Sequence, residues 1–259
     1  MKFKQCDVYS HRHPGLRLGV DSAREDVWVI GDVHGCGEEF YELCQNIKAE
    51  TPNCKIIQLG DLIDRGPHLL DVFETVDKFG IELCIGNHEL NFLLEHDGYK
   101  KCNSNARQKS HQIFDCLSSA QKQFILDMMR SSHNVITVEF LDTKSVYEPP
   151  ERWFLSHAPI ENFEEVYISD KQLMTNAWTF CSGNQPYDGV KLYPNNFFAH
   201  GHQHWNYTPI FEQIKEYKNC KRDVMNLDGG CVYGGELVAY NICKNRAMVV
   251  KAKETYYKY

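Results

Sequence analysis

No apolar run in this 259-residue chain approaches the roughly 18 residues that a membrane-spanning helix needs, and a membrane partner is not expected. The opening, Met1-Lys2-Phe3-Lys4-Gln5-Cys6-Asp7, has no apolar h-region, which argues against a signal peptide. Basic charge is not in excess: 28 Lys+Arg against 35 Asp+Glu leave a formal net charge of −7, so stable nucleic-acid binding is disfavoured. There is no CxxC pair, and the 11 cysteines are odd in number and scattered, as at Cys36, Cys84, Cys181 and Cys231. Reduced, mostly buried thiols in a cytoplasmic protein are the expectation. Repeats, low-complexity tracts and linker-like Pro/Gly clusters are missing as well, which predicts a single domain over 1–259.

What is present is core material, 42% hydrophobic residues, arranged with two periods. Val27-Trp28-Val29-Ile30 reads as a buried strand, and Phe40, Leu43, Cys44 and Ile47 then fall at helical spacing. Lys55 to Leu59 and Glu82 to Ile85 repeat the strand signal, with Leu69, Leu70, Phe73, Val76 and Phe79 as a helical face between them. This is a βαβαβ opening with parallel strands. From about Glu95 to Arg130 the pattern is polar and helical, a cap segment, with Lys100, Lys101, Arg107 and Lys109 read as a solvated face. The second half turns to β, with strands expected over 134–140, 152–156, 197–200, 224–227, 236–242 and 247–251. An α/β sandwich of two mixed β-sheets flanked by α-helices, with a helical cap segment, accommodates all of these elements.

Each opening strand runs into a polar cluster: Gly31-Asp32-Val33-His34-Gly35, then Gly60-Asp61-Leu62-Ile63-Asp64-Arg65-Gly66-Pro67, then Gly86-Asn87-His88-Glu89. In a parallel sheet the carboxyl ends of neighbouring strands line one crevice, so clusters far apart in sequence converge. Two more follow strand-like runs, Ser156-His157-Ala158-Pro159 and Ala199-His200-Gly201-His202-Gln203-His204. A lone histidine is more often structural than a ligand, but six of the twelve stand at these strand ends. Clustered Asp, His and Asn without cysteine is a donor set for a borderline-to-hard divalent ion. Two such ions about 3.5–4 Å apart activate water and clamp attacking and leaving oxygens, which suits phosphoester hydrolysis.

The ordered motifs GDVHG, GDLIDRGP, GNHE, an isolated His and GHQH resemble the calcineurin-like metallophosphoesterases, and DRGP with GNHE resembles their phosphoprotein-phosphatase branch. The tail Asp228-Gly229-Gly230-Cys231-Val232-Tyr233-Gly234-Gly235-Glu236-Leu237 is similar to the compact bacterial and phage type, which includes lambda-type phosphatase and the diadenosine tetraphosphatases. The likeness spans about 27–242. It implies two divalent ions, with Mn²⁺ first and Fe²⁺, Zn²⁺ or Ni²⁺ as alternatives. Asp32 and His34 would hold one ion, Asp61 would bridge, Asn87, His157 and His202 would hold the other, and His204 is a further candidate ligand. His88 would be the general acid, Asp64 its orienting partner and Arg65 a phosphate ligand, with Asn87 and His88 also contacting substrate.

One departure stands out. The branch carries a second phosphate-binding Arg, but Asn176-Ala177-Trp178-Thr179-Phe180-Cys181-Ser182-Gly183 offers none, so either another cation substitutes or the grip on a dianionic monoester is weaker. The expected substrate is a phosphorylated protein, through serine/threonine phosphatase-like monoester hydrolysis. The alternatives are a bis(5'-nucleosyl)-tetraphosphatase, an RNA or nucleotide phosphatase, a phosphodiesterase, and, from another class, a metal-binding interaction module that has lost catalysis. The oligomeric state is left open.

Overall fold

Side-chain alternation along the strands decides which of two cores each residue enters. The computed structural model describes residues 15–141, 151–158, 196–202 and 224–258. Its strands are β1 (Leu16–Val20), β2 (Val27–Ile30), β3 (Lys55–Gln58), β4 (Glu82–Leu83), β5 (Val135–Phe140), β6 (Arg152–Ser156), β7 (Asn196–His200), β8 (Val224–Asn226), β9 (Glu236–Asn241) and β10 (Arg246–Lys251). They form two five-stranded mixed sheets, ordered β1-β5-β6-β7-β8 and β10-β9-β2-β3-β4. In the second sheet β2, β3 and β4 are parallel, while β9 runs antiparallel to both β2 and β10.

Val27 and Val29 of β2, with Ile57 of β3, face the other sheet and meet Ile136, Val138, Trp153 and Leu155. The alternate residues Trp28, Ile30 and Ile56 point the opposite way, into a core roofed by helices. Those helices are α1 (Gly37–Glu50), α2 (Leu69–Phe79), α3 (Asn87–His96), α4 (Asn105–Asp115) and α5 (Ser119–Ser131). Phe40, Leu43 and Ile47 of α1 and Val72, Phe73 and Val76 of α2 are the stripes that enter it. Each such side chain, fully buried, contributes about 1.5–3 kcal/mol. The segment from Glu95 to Arg130 also feeds this core, through Phe114, Ile125 and Met129, so α4 and α5 lie against the same body as α1 and α2. Among the described residues no helix is long and apolar enough to cross a membrane.

The architecture is the expected α/β sandwich of two mixed sheets with flanking helices. One strand was not anticipated: β1 is an edge strand whose partner, β5, lies more than a hundred residues away.

Candidate active site

The loops that follow β2, β3, β4, β6, β7 and β8 deliver the polar clusters to one place, and their backbone is strained there. Among the described residues six non-glycine residues have positive φ, and five belong to these loops: His34, Asp61, Asp64, Arg65 and His202. Such conformations cost roughly 1–3 kcal/mol each and persist only where the surroundings enforce them. Enforcement comes from hydrogen bonds between loops. Val33 and His34 donate their backbone N–H groups to Asp61 O at 3.1 and 2.8 Å, and Gly66 N–H returns to His34 O at 2.9 Å. Glu89, buried, gathers three more: Asp61 N–H at 2.8 Å, Gly86 N–H at 3.0 Å and Ile63 N–H at 3.1 Å. Glycine is required where loops touch. A Cβ on Gly86 would stand 2.2 Å from Asp61 N, and one on Gly201 would stand 1.9 Å from Asp32 Oδ1.

The imidazoles are aimed by backbone carbonyls. His34 Nδ1 lies 2.8 Å from Ile63 O, and His157 Nδ1 lies 3.0 Å from Leu59 O, which turns both Nε2 atoms into the site. His157 Nε2 is 3.0 Å from Asn87 Oδ1, 3.1 Å from His202 Nδ1 and 3.3 Å from Asp61 Oδ2. His34 Nε2 is 3.5 Å from Asp61 Oδ2 and 3.9 Å from Asp32 Oδ2. Both Asp32 oxygens accept the His202 backbone N–H at 3.1 Å. Two donor triads result, His34–Asp61–His88 and Asp61–His157–His202, each within 4.8 Å and sharing Asp61. The structure therefore brings together Asp32, His34, Asp61, Asn87, His157 and His202. His204 and the stretch from Asn176 to Gly183 lie outside the described residues.

Electrostatics point to a demand for positive charge. Burial, then the neighbouring Asp228, pushes Asp32 well above the usual carboxylate range. Burial likewise lifts Asp228 to about 6. For Asp61 burial acts upward too, but His157, His88 and His34 around it prevail and hold it well below its ordinary value. Burial opposes charge on His157, yet Asp61 and Asp32 override it and raise the imidazole to about 10. The carboxylates around His157 thus draw positive charge to the point where Asn87, Asp61 and His202 converge. His34 goes the other way, lowered by burial and by the Arg65 guanidinium, whose Nη1 packs against Nε2. Buried carboxylates in excess, imidazole and amide donors, and no thiol fit two divalent cations.

His88 is set apart by its partner, which is not a carbonyl but a buried carboxylate. Its Nδ1 lies 2.5 Å from Asp64 Oδ2, and Nε2 faces Asp61 Oδ2 at 3.8 Å. Arg65 lies over the Tyr233 ring, 5.4 Å from its centroid. One expectation needs correction. Lys100, Lys101 and Lys109 are exposed, but Arg107 is turned inward to Asp64 and Glu95 rather than lying on a solvated face, because two buried carboxylates draw it. Tyr233, half-buried, packs against the helical core beneath Arg65. Glu89, buried, and Asp228, half-buried beside Asp32, join the site as carboxylates that the motifs carried without a role.

The sequence profile of the calcineurin-like phosphoesterases matches residues 26–206. The chain belongs to that family. As a calcineurin-like phosphoesterase it is a phosphoester hydrolase, and the family's chemistry uses divalent metal ions. This phosphoesterase is 22% identical over 269 residues to a symmetrical bis(5'-nucleosyl)-tetraphosphatase of Janthinobacterium sp. (strain Marseille), covering 88% of this chain and 96% of that one. A relative of the same name from Hamiltonella defensa subsp. Acyrthosiphon pisum is 36% identical over 105 residues, 40% of this chain and 36% of that one. A solved structure of a putative diadenosine tetraphosphatase superposes with a TM-score of 0.60 at 16% identity, over 92% of this chain and 98% of that one, a likeness of fold.

Proposed function

We propose that this phosphoesterase hydrolyses a bis(5'-nucleosyl)-tetraphosphate, acting as a single cytoplasmic domain. The observation that carries the reading is the match to a symmetrical bis(5'-nucleosyl)-tetraphosphatase along 88% of this chain and 96% of the relative. The phosphoprotein substrate expected first gives way to the nucleotide that stood as its alternative. The free thiols of Cys36, Cys44, Cys54 and Cys84 suit a reducing compartment.

Asp32 and His34 would hold one divalent ion and Asn87, His157 and His202 the other, with Asp61 common to both. Nitrogen donors in both sets favour Mn²⁺ over Mg²⁺. When bound, the two ions supply Lewis-acid stabilisation and activation of water. Arg65 binds phosphoryl oxygens, supported from below by Tyr233, and the Asn87 amide adds a neutral contact beside it. His88 donates the proton that the departing oxygen needs. Backbone carbonyls aim His34 and His157 as donors, whereas the Asp64 carboxylate orients His88 for the acid's part.

The test is turnover of the Mn²⁺-loaded protein on diadenosine tetraphosphate, an aryl phosphomonoester, a phosphodiester and a phosphothreonine peptide. The reading expects the highest kcat/KM on the dinucleotide, with two nucleoside diphosphates as products. A higher value on the phosphopeptide would return the assignment to a protein substrate.

A further inference from the structure

On the far side of Arg107 from Asp64 lies a second group of donors, in which no residue of the candidate active site takes part. Glu95 comes from the last turn of α3, Cys102 from the loop after it and His111 from α4. Their ligand atoms lie within 4.8 Å of one another. They border an open cavity of about 380 Å³ together with Gln108, Gln112 and Asp115. We propose that Glu95, Cys102 and His111 form a separate metal site for a single borderline-soft divalent cation, of the Zn²⁺ class.

The geometry is specific in three respects. His111 lies flat against Phe92, with ring centroids 4.2 Å apart and planes at 12°, which fixes the direction of Nε2. That nitrogen is 3.0 Å from Glu95 Oε2. Arg107 Nε takes the other carboxylate oxygen, Oε1, at 3.0 Å, so the oxygen turned toward His111 and Cys102 is the one left to a cation. A plain ion pair accounts for His111 and Glu95 but not for a thiol whose Sγ stands within 4.8 Å of both their ligand atoms. One thiolate, one imidazole and one carboxylate, with the cavity open to water as a fourth ligand, is a zinc-type donor set, softer than the sulfur-free set at Asp61. Donors of a tetrahedral zinc ion lie roughly 3.3–3.8 Å apart, so any wider separation within the 4.8 Å cluster closes as the ion binds. Cys102 can supply that movement, being held only by a long contact from Sγ to Ser104 O at 3.6 Å. Burial, with Glu95 adding to it, keeps the thiol protonated, so filling the site releases that proton to solvent.

Cobalt separates this site from the dinuclear one. The full chain is first loaded with Mn²⁺ and then titrated with Co²⁺ while the near-ultraviolet thiolate-to-cobalt charge-transfer band is followed. Asp32, His34, Asp61, Asn87, His157 and His202 include no sulfur, so the band reports a cysteine site alone. Wild type should develop the band at one equivalent and lose it on addition of one equivalent of Zn²⁺. C102S should abolish it, and H111N should weaken Co²⁺ binding by at least roughly tenfold, with far-ultraviolet circular dichroism confirming that both variants fold. Absence of the band in wild type, or an unchanged band in C102S, would overturn the proposal.

Discussion

Arg107 Nη1 stands 3.6 Å from Asp64 Oδ2, the same oxygen that His88 Nδ1 approaches at 2.5 Å. A guanidinium from α4 thereby shares the carboxylate that orients the proposed acid, while its Nε holds Glu95 at 3.0 Å. Both carboxylates are almost fully buried.

Arg107→Ala should therefore act on stability, because it strips a counter-charge from two buried carboxylates at once. Breaking a buried pair by removing one partner costs about 3–5 kcal/mol. Arg107→Lys should recover less than half of that, since a single ammonium cannot reproduce the fork that serves both carboxylates. Urea unfolding midpoints measure this directly, and a midpoint within error of wild type for Arg107→Ala would show that the contact contributes nothing.

His88→Asn should leave metal content near wild type and slow poor leaving groups by about 10²–10⁴-fold, the usual contribution of a general acid. The comparison is p-nitrophenyl phosphate against an alkyl phosphate. Equal losses on the two would reject the acid role, and loss of one metal equivalent would make His88 a ligand, as its place in the triad with His34 and Asp61 allows.

Metal removal should abolish hydrolysis, and Mn²⁺ should restore it better than Mg²⁺, because His34, His157 and His202 offer nitrogen donors that Mg²⁺ accepts poorly. Asp61→Asn should lower the bound metal by more than one equivalent per chain, since its carboxylate stands in both triads. Metal analysis after exhaustive dialysis decides both points.

What the sequence exposed and what it hid divide along the distance between partners. The strand β2 and its cluster at Asp32 and His34 are contiguous, as are β3 with Asp61 to Arg65, so a local reading places strand, turn and donor together. The convergence of those clusters followed from parallel strands alone. The role of Glu89 did not follow, because the N–H groups it holds at Asp61 and Ile63 lie 28 and 26 residues away and backbone donors leave no mark in a sequence. The strand β1 was hidden for a related reason: Leu16-Arg17-Leu18-Gly19-Val20 is short, follows Pro14-Gly15, and owes its pairing to the distant β5. Arg107 sits in a run of lysines, and only the fold shows that its side chain turns inward while Lys100, Lys101 and Lys109 stay exposed.

Glu89 yields the prediction that the fold adds to the sequence. Its two oxygens accept N–H groups from Asp61, Ile63 and Gly86, all within 3.1 Å, and so bind the loop of Asp61, the proposed shared ligand, to the turn that presents Asn87 and His88. Asp61 is held there at φ 55°, in the sparsely populated left-handed region. Glu89→Gln conserves shape but turns an NH₂ group toward at least one of those donors, leaving a buried N–H without an acceptor at a cost of about 1–3 kcal/mol. Because the loss falls on the loop that orients a ligand rather than on the ligand, metal affinity should drop by about 10–100-fold while the number of ions bound at saturation stays at two. Glu89→Gln with wild-type affinity would show that the interloop hydrogen bonds of Val33 and His34 to Asp61 O suffice to hold the site.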